Sequence, residues 1–307
     1  MTDSSQTQTA YVKEASYGVT PATPGFKKVR TTGVPTLTPE KQFLISDEMR
    51  PDRNVPAAVS SGQNASFDLP IEFSYGSFDD LLEGFMCSTW ASDVLKNGTA
   101  LQSFTFENKF ITSAGLRYHR ITGAVVNTFS LNLTANGKAE GSFGFMGKQG
   151  TSANAAVAGA TYADPDNGDF FRATDDVTIQ LGGGIGAVSV MSVSLSGTNN
   201  NRLRPVVGSG FTDGIGLGRF EVTGELNAYF NNSALYDKFL ADEYTSLTLT
   251  FNDPETGSYT IYFPRIKFTA GQVVAGGNNS DVMANMSWTA TVDTTEDCAM
   301  KITRDPA

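Results

Sequence analysis

The sequence holds two cysteines, Cys87 and Cys298, and a single histidine, His119. Cysteines this far apart make neither a disulfide framework nor a zinc site. One histidine cannot build a multi-histidine metal centre. A histidine-dependent triad would have to use His119, yet no Gly-x-Ser-x-Gly nucleophile elbow is present. Charge is scarce as well. Charged residues make up 18% of the chain, and 22 basic against 32 acidic residues leave a formal charge of −10. That balance argues against gripping nucleic acid, because phosphate binding depends on Lys and Arg neutralising charge. It suits a surface that nucleic acid passes without adhering, or simply a soluble one. No apolar run approaches membrane-spanning length, which argues against a membrane partner. The polar start, Met1 to Thr9, lacks the apolar stretch of a signal peptide. The chain is therefore expected to be made and kept in a reducing cytoplasm before assembly. Leu, Glu and Lys blocks at helical period are also missing, which argues against a helical bundle.

What the chain does hold is glycine, 31 residues of it, with Thr, Ser and Asn recurring throughout. This favours strands and tight turns. A length of 307 residues supports one large β domain or two smaller ones, with core enough to need no staples. Residues 1–60 read as an N-terminal arm and extended loop, punctuated by Pro21, Pro24, Pro35, Pro39, Pro51 and Pro56. Short strands are expected near residues 27–32 and 43–47, and disorder over residues 1–12. Phe26, Val29, Phe43, Leu44 and Ile45 call for burial. Within the arm, Asp47, Glu48, Arg50, Asp52 and Arg53 alternate in sign, a pattern that suits paired charges across a contact or a solvated loop.

Residues 61–307 read as the β body. Phe67, Leu69, Ile71 and Phe73 alternate with polar residues, which predicts a half-buried strand with an edge or bulge at Pro70. Ser77 is expected to cap a helix whose start carries Asp79 and Asp80, with Phe78, Leu81, Leu82, Phe85 and Met86 on one face. Further strands are expected over 103–111, 117–122, 188–195, 218–230, 265–269 and 282–292. Asn136-Gly137 predicts a hairpin between strands 124–135 and 139–147, with Leu131 and Leu133 facing Phe143 and Phe145. A second hairpin joins 246–251 to 258–263, where Leu247, Leu249 and Phe251 alternate opposite Tyr259, Ile261 and Phe263. A second short helix begins at Ser233, with Leu235, Tyr236, Phe239 and Leu240 apolar. The two halves, about 61–150 and 186–307, share this order and suggest a pseudo-repeat around an exposed loop at 150–185. Residues 199–216 read as another loop.

Chemical sites fare less well. Gly182-Gly183-Gly184-Ile185-Gly186 lacks the Lys-Ser/Thr or the helix that a phosphate-cradling loop requires. Gly214 to Gly218 has the same weakness. Asp164 to Asp169 resembles a calcium loop, but its glycine comes one position early and no bidentate Glu follows, so an acidic turn is expected. Asp79, Asp80 and Glu83 are accounted for by a helix start. His119 is expected on a strand surface. No cofactor, metal or catalytic set is expected.

Several blocks resemble the major tail tube proteins of long-tailed bacteriophages. They are Glu14 to Pro21, Ser46 to Arg53, Ser77 to Met86, Ala124 to Ser130 leading to Gly141 through Lys148, Phe220 to Phe230, Leu235 to Leu240, Tyr259 to Arg265, and Lys301 to Arg304. The resemblance implies a β-sandwich subunit that forms hexameric rings. One sheet of each subunit would join a continuous barrel around a channel, and rings would stack through loops and arms. It implies a structural virion protein whose partners are other copies of itself, a tape-measure protein, tail terminator and tail-tip proteins. DNA would pass through the channel unbound. In that setting Asp47, Glu48, Arg50, Asp52 and Arg53 are expected at inter-subunit contacts. The wet face carrying Asn132, Thr134 and Ser142, or that carrying Glu221 and Glu225, is expected to line the channel. A β-sandwich binding module, such as an adhesin or receptor-binding domain, and a capsid decoration protein remain the alternatives.

Overall fold

The computed structural model describes residues 3–166, 168–186 and 188–307. Asn167, inside the expected acidic turn, and the first two residues of the expected disordered start lie outside the described residues. The chain runs through β1 (Gln8–Lys13), β2 (Gly25–Lys28), β3 (Pro39–Ile45) and β4 (Ala58–Glu72) into α1 (Asp79–Met86). Next come β5 (Val94–Lys96), β6 (Phe104–Thr112), β7 (Gly115–Thr134), β8 (Glu140–Gly147), β9 (Gln149–Ala153) and β10 (Thr161–Ala163). Then β11 (Val177–Leu181), β12 (Val190–Thr198), β13 (Arg202–Arg204), β14 (Gly214–Gly216) and β15 (Glu221–Tyr229) lead to α2 (Ala234–Leu240). The last strands are β16 (Tyr244–Asp253), β17 (Gly257–Ala275), β18 (Val282–Ala290) and β19 (Lys301–Pro306). The fold is mainly β with two short helices among the described residues, as the composition predicts.

Two long strands organise it. β7 pairs with β6 and β9 over its first half, then with β8 and β12 over its second. β17 pairs with β16 and β19 first, then with β18. Each strand carries a bulge, after Val126 in β7 and after Phe268 in β17, where its pairing register shifts. The result is one broad sheet, ordered β3-β4-β8-β7-β12-β15-β18-β17, covered on its apolar side by the other ladders. Phe67 of β4 meets Phe106 of β6 at 5.1 Å, and Phe73 meets Phe251 of β16 at 5.3 Å. Since β4 pairs with neither strand, these are contacts between facing layers. The same order of pairing occurs twice: β4-β8-β7-β6 around α1, and β15-β18-β17-β16 around α2.

The β16–β17 hairpin has the expected register, with Leu247 opposite Phe263, Leu249 opposite Ile261 and Phe251 opposite Tyr259, all buried. The β7–β8 hairpin does not. Leu131 faces Gly141, and Phe129 faces Phe143 with ring centroids 4.7 Å apart. The turn takes in residues 135–139, not Asn136-Gly137 alone, although Asn136 does adopt a positive φ of 62°. The bulge beside Asn127 then displaces Phe145 to face Val126.

Three other expectations are corrected. Residues 8–12 belong to β1, which lies between β2 and β6 with Tyr11 fully buried. Burial between two ladders outweighs the polar composition. Ser77 does not cap α1: the N-cap position is Phe78, and the Ser77 hydroxyl accepts a bond from Ser74. The 150–169 segment is not wholly loop, because it supplies β9 and β10, and Tyr162 stacks on Phe26 at 5.4 Å. His119 is exposed on β7, 5.0 Å from the Phe110 ring, as expected.

α1 buries Leu81, Leu82, Phe85 and Met86 against the sheet, each side chain contributing roughly 1.5–3 kcal/mol. The close approach requires Gly84, where a Cβ would lie 2.8 Å from the Phe104 ring.

Candidate assembly surfaces

The helix carboxylates serve the fold. Asp79 accepts from Tyr259 Oη and pairs with Arg304, whose Nε also bonds Asp93 at 2.7 Å. Burial raises the Asp79 carboxyl above the usual range, while its Tyr259 and Arg304 partners oppose that rise. Asp80 pairs with Lys27 of β2 and accepts from Tyr11 Oη at 3.2 Å. Glu83 pairs with Lys13 of β1 at 2.9 Å. Thus α1 ties the first two strands and the last to one another. Glu14 does similar work nearby. Its buried carboxylate accepts from Ser103 Oγ and Thr105 Oγ1 at 2.7 Å, and from the Gly18 and Gly123 amides at 2.7 and 2.9 Å.

The sign-alternating cluster occupies a different environment. β3 and the first half of β4 form a hairpin, and residues 46–57 connect its ends. Asp47, Glu48, Arg50, Asp52 and Arg53 all sit exposed in that connection. Arg50 grips Asp52 with two bonds of 3.1 Å, and this pair holds the Asp52 carboxyl below its ordinary range. Asp47, Glu48 and Arg53 have no ion-pair partner among the described residues. Beside them Phe43, Leu44 and Ile45, which the sequence reading expects to be buried, are 59%, 65% and 63% exposed. Met49, Val55 and Val59 are exposed too. The hairpin therefore presents apolar side chains and charges together, with nothing among the described residues to cover them.

The other expected site residues lie on one face of the broad sheet. One row of paired positions reads Glu72, Glu140, Asn132, Ser194, Glu225, Ser287, Ala270. The next reads Pro70, Ser142, Ser130, Ser196, Thr223, Thr289, Lys267. A third joins Asp68, Gly144, Thr128, Thr198 and Glu221, and a fourth Thr134, Ser192, Asn227, Asn285 and Gln272. Asn132, Thr134, Ser142, Glu221 and Glu225 thus share a single surface, although the sequence reading treats them as alternatives. Small hydroxyls, amides and carboxylates cover it, opposite the Leu/Phe core. Lys138 pairs with Glu72 and Glu140, and Lys267 with Asp242, so the lysines at its margins are occupied. Arg219 pairs with Glu221 and lowers its pKa. Asp68 and Glu225 have no ion-pair partner among the described residues. Alternation through Phe67, Leu69 and Ile71 puts Asp68 and Glu72 on the polar face in the sequence already, but it does not mark them, or Glu140, as channel residues.

Among the described residues, no group of three or more His, Cys, Asp or Glu side chains is placed to hold a metal ion. No helix among the described residues is long and apolar enough to cross a membrane. No curated protein matches the sequence. A family model described as phage tail tube protein matches residues 4–290, from the 3-10 turn before β1 to the last residue of β18, and the chain belongs to that family.

Proposed function

We propose that copies of this chain close into hexameric rings, and that the rings stack into a tail tube whose channel delivers phage DNA to the host. The observation that carries this reading is the polar face running across β4, β8, β7, β12, β15, β18 and β17 in a chain of the tail tube family. Asn132, Thr134, Ser142, Glu221 and Glu225 line the channel. Carboxylates such as Glu225 and Asp68 repel phosphates, and the small polar residues keep the wall wet, so DNA slides without adhering. Asp47, Glu48, Arg50, Asp52 and Arg53, with Phe43, Leu44 and Ile45, contact neighbouring copies. Covering those apolar side chains contributes hydrophobic stabilisation, and the charges set the register. During assembly the channel encloses a tape-measure protein, and the tube ends meet terminator and tail-tip proteins.

Electron microscopy of the purified protein tests the reading. Tubes or stacked rings with a central hole are expected. A map of such tubes with Asn132 and Glu225 on the outer wall sinks the channel assignment. A monodisperse monomer that binds a glycan or host protein replaces the whole reading with that of a binding module.

A further inference from the structure

The two halves of the broad sheet can be aligned on their bulges. In the first, Val126 of β7 faces Phe145 of β8, which faces Phe67 of β4. In the second, Phe268 of β17 faces Trp288 of β18, which faces Gly224 of β15. Two residues earlier, Ala65 of β4 pairs with Pro39, and Val222 of β15 pairs with Gly197 of β12. Pro39 therefore stands where Gly197 stands. Burial follows the same rhythm on the approach to each. Pro35 and Leu37 are buried between exposed neighbours, as Val193 and Leu195 alternate with the more exposed Ser192, Ser194 and Ser196.

One pairing in the first half has no counterpart in the second. β12 joins the halves by pairing with β7, Ser194 opposite Asn132 and Ser196 opposite Ser130. Among the described residues, β17 from Ala270 onward pairs with β18 alone, and its other edge is open. The edge that corresponds to β12, residues 34–45, has no strand on its outer side among the described residues. The helices show the same difference. Phe85 of α1 is buried over Phe129 of β7 and Gly197 of β12. Phe239 of α2 lies correspondingly over Gly271 of β17 but is only half-buried, and Leu240 beside it is 63% exposed. The strand that would complete this second junction is absent among the described residues.

We propose that the chain is two fused ring units, and that a second copy supplies the missing strand: residues 34–45 of one copy dock on Ala270–Ala275 of β17 and on α2 of the next. This rests on the ring reading above and specifies its chain-to-chain contact. The contact is head to tail, with different surfaces on the two sides, so repetition closes a ring or extends a filament. Within and between chains the same junction recurs, so a ring shows twice as many units as chains. Phe43, Leu44 and Ile45 then lie alongside the next copy. The correspondence also fixes a register next to the paired Pro39: Thr38 opposite Gln272 of the neighbour, on the wet face.

Cysteine cross-linking tests it. Cys87 and Cys298 are buried, with the Cys87 thiol pushed up to about 11, so both native thiols stay out of the reaction. Chains carrying T38C or Q272C are assembled singly and as a mixture, then oxidised. A disulfide-linked dimer is expected in the mixture alone, and a ladder of linked chains from the T38C/Q272C double variant. Normal tubes with no cross-link, or T38C chains linked to one another, overturn the junction. Failure of the unaltered protein to form rings overturns the ring reading instead. Val273→Pro is a second probe. The Phe230 amide bonds Val282 O, which turns Val282 toward β15. Strand alternation then points the Val273 amide away from β18, to the open edge. This variant should melt as the native monomer does yet form no rings; rings at native yield count against the junction.

Discussion

α1 and the β3–β4 hairpin carry similar loads of large apolar side chains, and the chain treats them oppositely. Leu81, Leu82, Phe85 and Met86 of α1 are fully enclosed, and its three carboxylates are paired with Arg304, Lys27 and Lys13. Phe43, Leu44 and Ile45 of β3 face solvent, and most of the charges beyond them lack ion-pair partners among the described residues. Folding satisfies the first region and leaves the second unsatisfied. A soluble chain gains nothing from a long apolar edge strand, which invites pairing with other chains. In the proposed ring, the hairpin is the surface that neighbouring copies complete. The comparison therefore predicts two classes of variant, those that unfold the monomer and those that spare it and stop the tube.

The largest effect belongs to the enclosed region. Phe85→Ala empties a site between Phe129 and Gly197 and should cost about 3–5 kcal/mol, read by urea unfolding of the monomer. A loss below about 1 kcal/mol would mean that α1 is not the closed element described. Glu14→Ala comes next. It strips the acceptor from two hydroxyls and two amides, and should cost about 1–3 kcal/mol in the same measurement. Glu14→Gln, which keeps one oxygen, should cost less.

How much of this was legible in the sequence differs between the same two regions. α1 announced itself through five apolar residues at helical spacing, and β16–β17 through unbroken alternation on both arms. Each pattern has one solution because a single face must be buried. The β7–β8 register was misjudged because a bulge at Asn127 and a long turn both shift it, and neither leaves a mark stronger than Asn136-Gly137. β1 was hidden because small and polar residues, Thr9 and Ala10, can be buried when ladders close on both sides. Phe43 to Ile45 read as core, which they are not within one chain, since composition records a need for burial without naming the molecule that meets it. The wet face was legible strand by strand through Asn132, Ser142 and Glu225. That these residues share one surface depended on the order of strands, which no local pattern contains.

The hairpin variants sharpen the contrast. Leu44→Ser with Ile45→Ser removes exposed apolar surface, so monomer stability should stay within about 0.5 kcal/mol of native. Tube yield, scored by electron microscopy, should fall sharply. Tubes of native length from this variant would break the claim that the hairpin is completed by assembly.

The smallest effect is expected at Arg50. Its bond pair with Asp52 is exposed, and removing it should leave the melting temperature of the monomer unchanged. The cluster shows itself only if it faces opposite charge in the tube. Native tubes should then dissociate progressively as salt is raised, because screening shortens the reach of exposed charges to about 8 Å at physiological ionic strength. Arg50→Ala tubes should form in low salt, come apart at a lower concentration and depend on salt less steeply. Arg50→Lys keeps the charge but loses the planar two-bond grip, and should fall between them. Identical salt curves for all three proteins would leave the cluster a solvated loop and assign the contact to the apolar residues of β3 alone.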